Sequence, residues 1–147
     1  MIDKFQGDCR WLSNFYPVEV KLDGVTYKTV EHAYQAAKTH DWIERKSILL
    51  AETPGRAKRL GRSVTLREDW NEVKLSIMRD LIAQKFRDPI LRKLLLVTGQ
   101  EELIEGNYWG DRFWGVCGGT GMNHLGKIIM AERDRIRRRY ARNNGNR

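Results

Sequence analysis

At 147 residues the chain has the length of one ordinary domain and can bury a continuous core; with no apolar run of about eighteen residues and no signal-peptide pattern in Met1–Arg10, it is expected to be soluble and cytoplasmic. Two cysteines, Cys9 and Cys117, far apart and outside any Cys-x-x-Cys or His-rich pattern, argue against a disulfide framework or a zinc site and read as reduced structural thiols. The formal charge of +8 suggests a nucleic-acid partner until its distribution is read: Arg133–Arg147 holds seven arginines against Asp134 alone, net +6, leaving a nearly neutral +2 for the preceding 132 residues.

Arg10–Pro17 (RWLSNFYP) mixes three aromatic residues with Ser13 and Asn14 and reads as a loop that anchors itself in the core or walls a pocket. Val18–Leu22, Asp23-Gly24 and Val25–Lys28 form an alternating run, a two-residue turn and a second alternating run, the signature of a β-hairpin. Thr29 then suits the N-cap of a helix over Val30–Lys38, and Asp41 the start of another reaching Glu52. Pro54 fits the first turn of a short helix that Gly61 ends. From Glu68 to Phe86, apolar residues at three- and four-residue spacing predict a long helix, expected to be the central packing element. Pro89–Val97 predicts a further helix, Glu105–Val116 irregular and short-strand structure, and Asn123–Tyr140 the last helix. The class is α+β, predominantly helical with a small hairpin.

Candidate chemistry concentrates in three places. In Val30–Ala37, Glu31 and Gln35 lie one turn apart, setting a carboxylate beside an amide near a helix start; the bland alternatives are a dipole-favouring Glu31 and a capping or surface His32. Glu105–Gly115 (EGNYWGDRFWG) is denser in glycine and aromatics than strand or helix stability requires, and it carries Asp111. Glycine lets a backbone approach a ligand, and aromatic faces stack on planar rings. Gly118–Gly126 leads into a helix, so its N–H groups either hold a phosphate or form a plain connector.

These segments carry a family resemblance. Trp11–Pro17, Val30–Lys38, Gly55-Arg56, Trp70, Lys85-Phe86, Leu95–Gly99, Asp111–Gly115 and Asn123–Met130 occur in the order seen in the NADAR family of YbiA-like N-glycosidases, over about Phe5 to Arg133. The chain is identified as a member on that ordered set. The resemblance implies a NADAR-like domain over 1–133 followed by a basic tail over 134–147. It also implies hydrolysis of the C–N bond between ribose and a base-like group, on phosphorylated ribosylamino-pyrimidines of riboflavin synthesis or on ADP-ribosylated guanine. Its functional positions correspond to Glu31, Trp70, Asp111 and Trp114. The Arg-rich end and Ile129, where Leu is more usual, depart from the pattern without touching those positions.

Breaking a ribosyl C–N bond builds positive charge on the sugar and negative charge on the departing nitrogen. Glu31 and Asp111 are therefore expected to share two roles, stabilising the sugar cation and orienting or deprotonating water, in an order the residues leave open. Trp70 and Trp114 are expected to stack on the leaving base, although Trp70 also continues an apolar stripe. Asn14 and Phe15 join the substrate wall, and Arg56, with Lys127 as the second candidate, is expected to hold phosphate. No residue set calls for a metal or cofactor. The expected partner is a small ribosylated or ADP-ribosylated molecule, with ADP-ribosylated nucleic acid a further one and no membrane. Competing readings are a non-catalytic binding module for NAD-like or ADP-ribose-like ligands and a nucleic-acid binder using the tail, which is otherwise a solvated helix end.

Overall fold

The computed structural model describes residues 1–145. The chain forms two compact units, one from Asn14–Lys85 and the other from Met1–Ser13 together with the chain from Phe86 onward. The class is the expected one, mainly helical with short strands: six α-helices and two two-stranded pairings among the described residues.

In the Asn14–Lys85 unit, strands β1 (Val20–Leu22) and β2 (Val25–Tyr27) pair antiparallel with Val20 opposite Tyr27. The turn works because Asp23 and Gly24 both take positive φ, 49° and 80°, as a two-residue hairpin turn requires. Buried Arg45 fastens this turn, donating to the Asp23 carboxylate at 2.7 Å and to the Thr39 carbonyl at 2.7 Å.

Helix α1 (Val30–Ala37) follows, then α2 (Trp42–Leu49), α3 (Pro54–Gly61) and α4 (Trp70–Lys85). The expected caps are in place: the side chains of Thr29 and Asp41 accept from His32 N–H and Glu44 N–H, and Thr53 adds a third by accepting from Arg56 N–H. The expected central role of the long helix is not what forms. All eight residues of α1 are buried, and α1 packs against α2, α3, α4 and both strands, whereas α4 buries only Trp70, Met78, Leu81, Ile82 and Lys85. Side-chain size is the reason. Ala33, Ala36 and Ala37 are fully buried and let neighbouring helices come close to α1 on several sides, which a long helix with one apolar stripe cannot do.

Burying a whole helix obliges its polar groups to pair internally. The Asn14 carbonyl accepts the Glu31 amide, and at the other end Arg67 donates its main-chain N–H to the Lys38 carbonyl at 2.7 Å and its guanidinium to that of Ala37. His32 is neither a plain cap nor a surface residue. Its Nδ1 lies 2.8 Å from the Thr29 hydroxyl and its Nε2 3.0 Å from the Ala51 carbonyl, pinning α1 to the chain after α2.

In the other unit, Ile2 bridges to Leu103, strands β3 (Gly106–Asn107) and β4 (Val116–Cys117) pair in parallel, and helices α5 (Pro89–Val97) and α6 (His124–Gly145) pack on each other. Helix α6 runs unbroken through the expected boundary after Arg133. Arg133 is itself buried and donates to the Thr98 hydroxyl at 2.8 Å, Ile136 is buried, and Arg137 donates to the Gly99 carbonyl. Cations at the C-terminal end of α5 are favourably placed against its dipole. Residues 138–145 form an exposed helical end, and the last two residues of the basic tail lie outside the described residues. No helix of the described residues is long and apolar enough to cross a membrane.

Burial lowers the pKa of His32 from the ordinary 6.5, with the Ala51 hydrogen bond opposing and Lys28 adding to the shift. The unfolded chain therefore binds the proton more readily. The contribution of neutral His32 to stability is complete above about pH 6.5, falls as pH drops toward the lowered value and levels off beneath it. Thermal unfolding between pH 7.5 and 5 should show this loss, and His32→Gln, though less stable at pH 7.5, should show a flatter pH dependence.

Candidate active site

Glu31 sits in the first turn of α1 and is only 7% exposed. Its Oε1 accepts a 2.7 Å hydrogen bond from Gln35 Nε2, so the carboxylate and amide placed one turn apart in the sequence do meet. Asn14 is brought to the same helix start, since its carbonyl accepts the Glu31 amide. Its side chain is buried, with Nδ2 3.7 Å from the Met78 sulfur and Oδ1 lacking a hydrogen-bond partner. A buried acceptor without a donor is costly.

Trp70 is 6% exposed, its ring 5.2 Å from that of Tyr34 in a tilted pair. The Lys38 ammonium lies 5.6 Å from the centre of the same Tyr34 ring. Burial lowers the pKa of Lys38; Glu31 opposes this, while Arg62, Lys58 and Lys74 add to it. Positive charge is thus concentrated around Lys38 by residues in or just after α1, α3 and α4. These four cations were not singled out in the sequence, because they are scattered through it and only folding gathers them. Arg56, the expected phosphate ligand, is exposed on α3, and Phe15 is 41% exposed. Lys85, of the Lys85-Phe86 motif, is fully buried, its ammonium 5.9 Å from the Tyr16 ring centre.

In the other unit, Asp111 Oδ1 accepts from the amides of Phe113 and Trp114 at 3.1 and 2.9 Å. Asn107 encloses the same turn, donating from Nδ2 to the Asp111 carbonyl and accepting the Asp111 amide. The carboxylate therefore shapes the loop that presents Trp114, whose ring packs edge-on to Phe113 at 4.8 Å. Tyr108 and Trp109, on the same loop, are 86% and 46% exposed.

Part of the glycine density has a structural cause. A Cβ at Gly115 would strike the Glu105 carbonyl and one at Gly121 the Gly115 carbonyl, so here glycine admits backbone, not a ligand. The phosphate reading of Gly118–Gly126 fails for a related reason. The amides of His124 and Leu125 at the start of α6 already donate to the Phe113 and Trp114 carbonyls. Lys127 is exposed on that helix. Among the described residues no group of three or more His, Cys, Asp or Glu side chains is arranged to hold a metal, and Cys9 and Cys117 are both free.

The fold is of a class already known. Residues 3–137 match the NADAR domain, and the chain belongs to that family. It is 44% identical over 133 residues to an N-glycosidase of Nostoc punctiforme, covering 85% of this chain and 84% of that protein. It is 39% identical over 128 residues to the N-glycosidase YbiA of Escherichia coli, covering 84% and 79%. The NMR structure of E. coli YbiA superimposes with a TM-score of 0.82 at 35% identity, over 95% of this chain and 89% of that one. A riboflavin biosynthesis protein of Vibrio vulnificus is 37% identical over 130 residues, 86% of this chain but 35% of that longer protein. By class the chain is an N-glycosidase, a hydrolase of N-glycosyl compounds.

The two amide bonds to Asp111 can be weighed directly. Asp111→Ala should cost about 1–2 kcal/mol of unfolding free energy, as loss of a capping side chain does, and should alter the tryptophan emission of the folded protein. Asp111→Asn, which retains an acceptor oxygen, should cost less and leave the emission near wild type.

Proposed function

We propose that the chain hydrolyses the N-glycosidic bond of a phosphorylated ribosyl compound with a planar, base-like leaving group, and that Glu31 is its central catalytic carboxylate. The observation that carries this reading is the buried Glu31 carboxylate, oriented by Gln35 and in electrostatic contact with Lys38, around which Lys58, Arg62 and Lys74 also gather. A carboxylate stabilises the cation that develops on the sugar as the C–N bond breaks, and the surrounding cations suit a substrate phosphate.

The reaction balances with water alone. The C–N electron pair leaves with the base nitrogen, water adds its oxygen to the anomeric carbon, and the water protons are divided between the new hydroxyl and the departing nitrogen. Charge stabilisation and water activation are assigned to Glu31, and Asp111 maintains the loop that carries Trp114. Within the Asn14–Lys85 unit, Asn14 Oδ1 accepts a hydrogen bond from the substrate and Trp70 supplies aromatic surface. The Vibrio relative is named a riboflavin biosynthesis protein, and with the family resemblance this supports a ribosylamino-pyrimidine phosphate as substrate. A second reading, ADP-ribosylated guanine in a nucleic acid, is favoured by the exposed Tyr108 and Trp109, which offer more stacking surface than a single small base needs.

Both substrates, offered in parallel and followed by mass spectrometry of the released base, test the proposal. Glu31→Gln should lower turnover by about a hundredfold or more while remaining folded. Full activity in that variant would remove Glu31 from the mechanism, and tight binding of either substrate without turnover would favour a binding module. Replacing Lys58 and Arg62 together by Met should raise KM for the phosphorylated substrate by about tenfold or more. The same change should leave KM for the dephosphorylated analogue within about twofold of wild type.

A further inference from the structure

Gln35 is 4% exposed and holds one carboxamide orientation. Nε2 donates to Glu31 Oε1 at 2.7 Å, and the amide oxygen, also buried, has no hydrogen-bond partner. Turning the amide over would set its oxygen against the Glu31 oxygen, acceptor facing acceptor. The orphaned oxygen points at α3, where the residue it meets is Gly61: a Cβ there would overlap both the oxygen and the carbon of the Gln35 carboxamide.

That contact accounts for a glycine which helix geometry does not require. Gly61 is the last residue of α3, it is not among the residues with left-handed backbone, and Arg62 after it continues in right-handed helical geometry. Alanine would serve the helix better at such a position. A methionine at position 35 would likewise fill similar space without stranding a polar atom in the interior. Packing alone therefore favours neither residue. What the pair supplies together is a donor held against one oxygen of Glu31.

We propose that Gln35, seated in the space that Gly61 leaves open, is a positioning residue for Glu31 which fixes the direction of its carboxylate and favours its anionic form. The inference rests on the reading of Glu31 as the catalytic carboxylate. A hydrogen bond donated to a carboxylate stabilises its charged state, and a carboxylate that must face a developing cation gains from being both ionised and immobile. Gly61 acts only through the room it gives the amide.

The test uses glutamate labelled with carbon-13 at the side-chain carboxyl, the Glu31 signal being assigned by its loss in Glu31→Gln. Its titration midpoint, which needs no substrate, is compared in wild type, Gln35→Met and Gly61→Ala, and hydrolysis of the phosphorylated ribosylamino-pyrimidine is followed in the same proteins. Both variants should titrate at higher pH than wild type, and the acidic limb of kcat/KM should move with the midpoint. Turnover should fall about ten- to hundredfold, the size expected for a hydrogen bond to a charged group, with KM within about twofold of wild type. If Gly61→Ala does not fold, Gly61→Ala with Gln35→Ala relieves the overlap but still lacks the donor, and should also titrate high. Unmoved midpoints in folded variants, or wild-type turnover in Gln35→Met of a substrate that the parent cleaves, would overturn the proposal. Loss of activity in Glu31→Gln alongside unshifted Gln35 and Gly61 variants would remove only the positioning role, whereas full activity in Glu31→Gln would remove the reading beneath it.

Discussion

Helix α1 is buried from Val30 to Ala37, and the Asn14–Lys85 unit is organised around that burial. A helix with no exposed face leaves its terminal amides, its terminal carbonyls and its polar side chains without water, so each needs a partner within the protein. Thr29 and Asn14 take the first amides, Arg67 takes the last carbonyls, Thr29 and Ala51 bracket His32, and Gln35 meets Glu31. Small residues on α1 make the burial possible by letting α2, α3 and α4 close in. The direction of the Glu31 carboxylate is thus a result of the same packing that stabilises the unit.

The loop from Glu105 to Asn123 holds its shape by different means. A network of short-range hydrogen bonds fixes its backbone. Asp111 collects the amides of Phe113 and Trp114, Asn107 encloses the turn from both sides, and the Phe113 and Trp114 carbonyls receive the first amides of α6. Buried Asn123 reaches the same loop, accepting the Glu105 amide and donating to the Leu103 carbonyl. Exposed Tyr108 and Trp109 are carried on backbone that these bonds hold, so aromatic surface is presented to solvent without the burial that usually orders such residues.

The basic end of the chain shows how one composition serves two purposes. Arg133 and Arg137 reach the end of α5, where carbonyls and helix dipole favour a cation, while the arginines from position 138 to 142 lie along an exposed helix. Counting charge from the sequence distinguishes the tail from the rest of the chain but not the structural arginines from the solvated ones.

What the sequence by itself determined was local. Asp23-Gly24 made the hairpin turn because only a few residue types accept positive φ; Thr29 and Asp41 began helices because their oxygens reach an amide three residues on; and the meeting of Glu31 with Gln35 followed from one helical turn. The ordered motifs identified the family for a similar reason, since they record residue types at short spacing. Tertiary structure alone decided that α1 and not the longer α4 would be central, that His32 would pin one helix to another segment, and that Lys38, Lys58, Arg62 and Lys74 would share one electrostatic neighbourhood. It also gave Gly61 a purpose that helix termination does not explain. In each of these cases the deciding quantity is distance between residues far apart in the chain, which neither periodicity nor composition contains.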